Sequence, residues 1–484
     1  MSAVVVVGNG IAAHRLVDRL HHHGHRGTVT VLGAEPVAAY HRVLLPSVLD
    51  GTLPAHALTL PGPPDGTVVR LGTRAVGVDR QHRLVHTSDG SSHRYDHLVL
   101  ATGARPRIPA VPGLLTARGR LADGVTPLRT LADCRRVTGG RVAVVGAGVL
   151  GVETALALRR GGARVTLTHP RPYPMNRQLD ATAGAVLARG LRDHGIRLEL
   201  SRQAVAYAPG TLTLDRGQAI GADTVVVCAG VRPDTRTARA AGLAVRTGVV
   251  VDDALTTDDP HIHAIGDCAE EDGTVPGLAA TAWHQAERLA ALLCGGRTRP
   301  RACAPVVRLK APGLDVAAYG PPGPADDAEE TVSLQDPARG GYARLALRGQ
   351  RLVGAVLVGY PQAIAALGAL CDQGRPVPSD RLVFLLGTTA GRRGPVELPD
   401  DAVVCHCSNV TRRTLADSWR GGARDAAALA AATRATTGCG GCTGAVRDLC
   451  TALHTAARRP GTAVVEASMA ETVVAEAAVA KTVR

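Results

Sequence analysis

The chain has 484 residues, of which 45% are hydrophobic and 20% charged, and it carries 11 cysteines. That composition fits a globular protein with a real core and excludes a disordered, collagen-like or small disulfide-stapled chain. The net charge of +13 comes almost wholly from arginine, with Lys310 and Lys481 the only lysines; it forms no basic block interleaved with aromatics, which argues against nucleic-acid binding.

The start, Met1 to Val7, has no charged leader and breaks into Gly8-Asn9-Gly10. It reads as a first strand and its turn rather than a signal peptide. No run of about 18 apolar residues occurs, so no membrane span is expected and a cytoplasmic location is. In a reducing compartment, closely spaced cysteines point to metal or redox chemistry.

Val4–Val7 is a buried-strand run, followed by Gly8-Asn9-Gly10-Ile11-Ala12-Ala13 and a helical pattern to about His23. A second strand, 28–32, ends just before Glu35, which lies 22 residues beyond Ala13. This is G-x-G-x-x-A inside a βαβ unit. Gly8 and Gly10 permit the tight turn and close approach of backbone to a pyrophosphate, and Ala13 lets helix pack on strand. Glu35 can accept from a ribose hydroxyl. The histidines at 21, 22, 23 and 25 read as a solvated helix end.

A second unit follows: strand Arg141–Val145, Gly146-Ala147-Gly148-Val149-Leu150-Gly151, a helix to about Gly162, and a strand from Arg164 to Thr168. That strand runs into His169, with no acid at the usual ribose-binding place and several arginines nearby. NADH and NADPH stay open at this point.

Between the two units lies His97–Pro106, a strand ending in the turn Thr102-Gly103. A parallel copy, Thr224–Asp234, contains Gly230, and an apolar strand ending in Gly266-Asp267 follows. With these motifs in this order, residues 1–300 resemble the two-dinucleotide-domain flavoproteins of the pyridine nucleotide-disulfide oxidoreductase superfamily. The resemblance implies FAD in the first fold, on Gly8, Asn9, Gly10, Ala13, Glu35, Arg42, Thr102, Gly103 and Asp267. It implies NAD(P)H in the second, on Gly146, Gly148, Gly151, Glu153 and Gly230. A disulfide reductase would need a redox cysteine pair beside the flavin. No cysteine precedes Cys134, and neither Cys134 nor Cys228 has a close partner, so electrons must leave by another route.

Trp283-His284-Gln285 opens a helix to about Leu293. Alternating runs at 306–309, 315–319, 342–347 and 352–358 then read as an antiparallel sheet, and 363–371 as a helix. Pro321–Pro324 and the acidic stretch 326–330 read as an exposed loop. This block resembles the superfamily's interface domain; Lys310 stands out within it, with a surface role and a functional one both open.

Past a polar linker, 391–400, come Cys405-His406-Cys407 and, after 31 residues, Cys439-Gly440-Gly441-Cys442. Short helices at 412–419 and 426–433 would carry the second pair back to the first. Four thiolates suit structural zinc or an iron–sulfur cluster; a flavin domain without its own disulfide, in need of a one-electron outlet, tips the choice to a cluster. The pattern also resembles the [2Fe–2S] domain of bacterioferritin-associated ferredoxin, which follows the flavin module in assimilatory nitrite reductase large subunits and in electron-transfer subunits of nitrate reductases. The stretches Gly8–Arg15, Glu35–Val43 and Met175–Asp180 resemble that subfamily too, although His41 departs from the acidic or amide residue expected there. The cysteine spacings of a sirohaem half, Cys-x5-Cys and Cys-x3-Cys, do not occur.

The expected fold is therefore α/β: two Rossmann-like, glutathione-reductase-like dinucleotide domains, an α+β interface domain and a small helical [2Fe–2S] domain. Its parts are FAD-binding 1–120 and 246–300, NAD(P)H-binding 121–245, interface 301–398, cluster-binding 399–452 and a frayed tail 453–484. The expected function is electron transfer from NAD(P)H through FAD and the cluster on Cys405, Cys407, Cys439 and Cys442 to a separate nitrate or nitrite reductase. No acid–base or nucleophilic residue is required, so none is assigned as catalytic. The alternatives are a ferredoxin or rubredoxin reductase, and a non-catalytic redox-sensing or iron-release module. Oligomeric state stays open.

Overall fold

Four valines in succession leave Val4–Val7 without a polar face, so the strand belongs inside a parallel sheet covered on both sides. A computed structural model describes residues 2–275, 277–297, 306–311, 313–320, 328–373, 375–386, 400, 402–405, 410–436 and 442–457. The chain divides into two compact units, Met1–Gly391 and Arg392–Arg484.

In the first unit, five parallel strands run in the order Ile262–Ala264, His97–Leu100, Val4–Val7, Val29–Gly33, Thr67–Leu71. The helix Ile11–His22 buries Ala12, Ala13, Leu16, Val17 and Leu20, one apolar stripe at helical spacing. Its stripe shares a core with Ala282, Ala286, Leu289 and Ala290 of the helix Ala279–Leu293. Truncating a fully buried leucine such as Leu16 to alanine would cost about 2–5 kcal/mol. That second helix starts four residues before the Trp283 expected from sequence, because Ala279 to Ala282 carry no stop signal.

A second parallel sheet repeats the plan: Arg197–Leu200, Arg164–His169, Arg141–Val145, Thr224–Val227, Val125–Pro127. Its helix, Val149–Arg160, is buried from Gly151 through Leu158, the polar Glu153 and Thr154 included. The two folds are joined by an antiparallel pair, Ala104–Pro106 with Val231–Pro233.

The third sheet is antiparallel, in the order Val307–Arg308, Val316–Tyr319, Arg351–Val358, Gly341–Arg348, Glu330–Asp336. The helix Pro361–Gln373 packs on it through Ala363, Ile364 and Leu367. Glu330–Asp336 is a strand that sequence analysis did not anticipate: it lies at the sheet edge, is polar and half exposed, and so reads as loop. The Pro-rich segment 321–324 lies outside the described residues.

The second unit, taken by itself, pairs Val403–Cys405 with Val410–Thr411 and adds the helices Arg412–Arg420, Ala426–Thr433 and Thr443–Ala457. Thr411 and Asp425 cap the first two helices, accepting from Thr414 N at 3.2 Å and Ala428 N at 2.7 Å. Leu415, Trp419, Leu429 and Val446 form its core. The helix Thr443–Ala457 was not foreseen and occupies the first five residues of the expected frayed tail, 453–484, which corrects that reading for 453–457; residues 458–484 lie outside the described residues.

Candidate functional site

The first glycine turn is built for close approach. Gly8 sits at φ +115°, and a Cβ there would lie 2.1 Å from Ala101 O, so only glycine lets this turn meet the end of the neighbouring strand. Asn9 lies against Gly33, whose own Cβ would come within 2.9 Å of it. Gly10 caps the helix without a side-chain bond, and a Cβ there would meet nothing within 4 Å: the space is open for a phosphate at a helix N-terminus. Ala13 is fully buried at the helix–strand contact.

Around this turn runs a chain of polar side chains. Glu35 Oε1 is 2.6 Å from Arg42 Nη2, and Tyr40 OH donates to Glu35 Oε2 at 2.8 Å. Arg42 Nη1 donates to Tyr40 OH at 2.8 Å and to Arg129 O at 2.6 Å. Burial, before the Glu35 bond, pushes the Tyr40 phenol up, so it stays a donor. Arg129 Nη2 in turn meets Asp267 Oδ2 at 2.7 Å, and its Nε donates to Ala104 O. Arg129 comes within 3.7 Å of the Cβ position of Gly103. Thr102 Oγ1 donates to Asp234 O at 2.6 Å, and Asp234 N to Gly103 O at 2.9 Å, tying the crossing strands together. The predicted residues of the first fold are thus brought together, and Arg129 joins them. Sequence reasoning missed Arg129, although Thr130-Leu131-Ala132-Asp133 beside it forms a capping box readable in the sequence.

The second turn repeats the geometry. Gly146, at φ +108°, would place a Cβ 2.5 Å from Cys228 O, and one on Gly151 would lie 1.8 Å from Gly146 O. Gly148 faces open space. Gly230, at φ +92°, accepts from Arg107 N at 2.9 Å beside the crossing strands. Glu153 lies two residues beyond Gly151 and is 3% exposed; Lys310 Nζ stands 3.0 Å from its Oε1, and Lys310 N donates to the same oxygen at 2.7 Å. Lys310, open from sequence alone, is therefore held against a buried carboxylate.

Burial pushes the thiols of Cys134 and Cys228 up to about 12, so neither supplies a thiolate at neutral pH. Both are free thiols.

In the second unit, Cys405 is fully buried and Cys442 is 7% exposed, and both belong to one core. Thr436 N donates to Cys442 Sγ at 3.1 Å, the hydrogen bond a thiolate ligand takes up. Cys407 and Cys439 lie outside the described residues; among the described residues no three His, Cys, Asp or Glu side chains gather into a metal site. Cys405 and Cys442 are two of the four cysteines expected to hold the cluster, and both lie in this core.

Residues 2–286 match the family "Pyridine nucleotide-disulphide oxidoreductase", 305–374 the "Rubredoxin NAD+ reductase C-terminal domain", and 403–451 the "BFD-like [2Fe-2S] binding domain". The chain is 31% identical to a nitrite reductase [NAD(P)H] of Bacillus subtilis over 92% of its own length and 57% of that protein's. It is 30% identical to the assimilatory nitrate reductase electron transfer subunit of the same species, over 92% of this chain and 59% of that one. It thus spans somewhat over half the length of these relatives. The fold matches the putidaredoxin reductase–putidaredoxin complex with TM-score 0.72 at 26% identity, over 81% of this chain and 99% of that one. FAD and NAD(P)H are the cofactors of the first unit's fold, and a [2Fe–2S] cluster that of the second. No helix among the described residues is long and apolar enough to cross a membrane.

Proposed function

The chain belongs to the pyridine nucleotide-disulphide oxidoreductase family, and on that premise we propose that it feeds electrons from NAD(P)H to a separate assimilatory nitrate or nitrite reductase. The observation that carries this reading is the joining, in one chain, of two dinucleotide folds to a [2Fe–2S] domain at 403–451. When bound, the nicotinamide supplies hydride, FAD accepts the pair and the cluster handles single electrons.

The chain's own task is to hold and orient these groups. Gly8 and Gly10 bring the helix N-terminus to the FAD pyrophosphate, with Asn9 and Ala13 shaping the turn. Arg42 lends positive charge beside it, Glu35 takes ribose hydroxyls, and Asp267, Thr102 and Gly103 line the rest. Gly146, Gly148 and Gly151 do the same for the nicotinamide dinucleotide, with Glu153 and Gly230 assigned to the same site. Cys405, Cys407, Cys439 and Cys442 ligate the cluster. A catalytic subunit is the partner, and none of these residues needs to act as an acid, base or nucleophile.

A second reading, reduction of a rubredoxin- or ferredoxin-like acceptor, is favoured by the match of residues 305–374. The test uses purified full-length protein. Its visible spectrum should show flavin and iron–sulfur bands, and NAD(P)H should drive nitrate or nitrite reduction when a catalytic subunit is added. Turnover only with rubredoxin or ferredoxin would replace the first reading by the second. A colourless protein, or zinc by metal analysis, would sink the cluster.

A further inference from the structure

The two dinucleotide folds carry the same hydrogen-bond register, which allows their ribose-facing positions to be matched within one chain. In the first fold Val7 pairs with Leu32, and Gly8 N donates to Leu32 O at 2.9 Å. In the second Val145 pairs with Thr168, and Gly146 N donates to Thr168 O at 2.9 Å. Leu32 and Thr168 are therefore equivalent, and three residues beyond each stand Glu35 and Arg171. The charge at the ribose-recognising position is reversed between the folds.

No acid occurs from 169 to 179, and Glu199, opposite Thr168 on the next strand, is taken up by Arg197 and Gln218, each at 2.8 Å. The strand ends at His169, whose Nδ1 accepts from Ala147 N at 3.3 Å in the glycine turn, leaving Nε2–H to donate to Asn176 Oδ1 at 3.0 Å. Both ring nitrogens are thus engaged within the protein. The first acid after the strand is Asp180, which caps the next helix through Ala183 N at 2.9 Å. Asp180 also accepts from Tyr342 OH at 2.9 Å and pairs with Arg344 at 3.2 Å, so it is committed away from the turn. Arg171 itself is exposed, between Pro170 and Pro172, which fix the flanking backbone. Its carbonyl accepts from Ser201 N at 3.0 Å, and that of His169 from Arg202 N at 3.0 Å. Arg171 is therefore an exposed residue on a pinned backbone, two positions beyond the His169 that touches the glycine turn.

A carboxylate at this position would take the 2′-hydroxyl of NADH and repel a phosphate; a guanidinium does the reverse, gripping phosphate oxygens in a bidentate fork. We propose that Arg171 binds the 2′-phosphate and that this protein uses NADPH in preference to NADH. The proposal rests on reading the second fold as the nicotinamide dinucleotide site.

The test measures binding of 2′,5′-ADP and of 5′-AMP to the purified holoprotein by calorimetry, for the wild type and Arg171→Gln. The wild type should hold 2′,5′-ADP at least about tenfold more tightly, the worth of one charge-assisted hydrogen bond or more. Arg171→Gln should lose most of that preference while its affinity for 5′-AMP and its melting temperature stay put. In steady state the variant's loss should fall on KM for NADPH rather than on kcat. Equal binding of the two nucleotides by the wild type, or an unchanged preference in the variant, overturns the proposal. If neither nucleotide binds and neither NADH nor NADPH bleaches the flavin, the dinucleotide reading of the second fold itself fails.

Discussion

Lys310 Nζ lies 3.0 Å from Glu153 Oε1, and that carboxylate is 3% exposed within the helix that opens on the second glycine turn. Burial pushes the Glu153 carboxyl up, and Lys310 opposes the push. Lys310→Met should therefore destabilise the protein by about 3 kcal/mol, because it leaves a buried acid without its partner. The sign with pH follows: a carboxyl that is harder to ionise folded than unfolded favours the folded state at low pH. The variant should lose stability relative to wild type as pH rises through the carboxyl range and beyond. Adding Glu153→Gln should recover most of the loss and flatten the pH dependence. Urea melts of the wild type and the two variants at several pH values decide it; an unaltered single variant would make the pair ornamental.

The two glycines of the first turn should separate folding from flavin retention. A Cβ on Gly8 collides with Ala101 O at 2.1 Å and its φ is +115°, so Gly8→Ala should cost more than about 2 kcal/mol of stability. Gly10 has open space and an ordinary φ of −94°, so Gly10→Ala should keep the fold to within about 0.5 kcal/mol. The added methyl instead stands where the pyrophosphate must approach, and bound flavin per chain should fall several-fold. Flavin absorbance after gel filtration, beside thermal melts of the apoprotein, reads both effects. A Gly10→Ala protein with its full flavin would remove Gly10 from the binding turn.

What was legible in the sequence is what neighbouring residues impose. Val4–Val7 with Gly8-Asn9-Gly10, and Arg141–Val145 with Gly146-Ala147-Gly148, announce strand, turn and helix because each step is settled within a few residues. The family comparisons agree with that reading of the fold. Pairings across the chain were not legible: Arg129 meets Asp267 over 138 residues, and Lys310 meets Glu153 over 157. No local pattern encodes them. Glu330–Asp336 escaped for the opposite reason, since an edge strand with polar, half-exposed residues has the composition of a loop.

A buried histidine beside a half-buried one should make the first unit sensitive to mild acid. His263 is 6% exposed, its Nε2 lies 3.3 Å from His97 Nδ1, and its Nδ1 lies 3.2 Å from Thr256 Oγ1. Burial first, then the charge of His97, pushes the His263 imidazolium down to about 4. The unfolded chain takes up that proton near pH 6.5, the folded one only near 4, so stability should drain away as pH falls between them. The whole effect amounts to about 3 kcal/mol at most. His263→Gln should lose less stability than wild type between pH 7 and pH 4.5. Parallel acid-induced losses in the two proteins would place the sensitivity elsewhere.

Cysteine replacement in the second unit offers an internal control, because three buried thiols share one core and only two of them are assigned to the cluster. Cys405 and Cys442 lie in that core with Cys450, whose Sγ donates to Arg424 O at 3.3 Å. Burial pushes the Cys450 thiol up, which suits a neutral donor and not a metal-bound thiolate. Cys405→Ser and Cys442→Ser should each lose most of the iron–sulfur absorption and the chain's iron content. Cys450→Ser should keep both, at a stability cost of about 1 kcal/mol for a polar group in an apolar place. Electron delivery to a one-electron protein acceptor should fall at least about tenfold in the first two variants. Reduction of a dye at the flavin should fall far less, because the first unit has its own core and its own dinucleotide sites. Cluster loss in all three would mean that the core, rather than thiolate ligation, sets the result; cluster loss in Cys450→Ser alone would reverse the assignment.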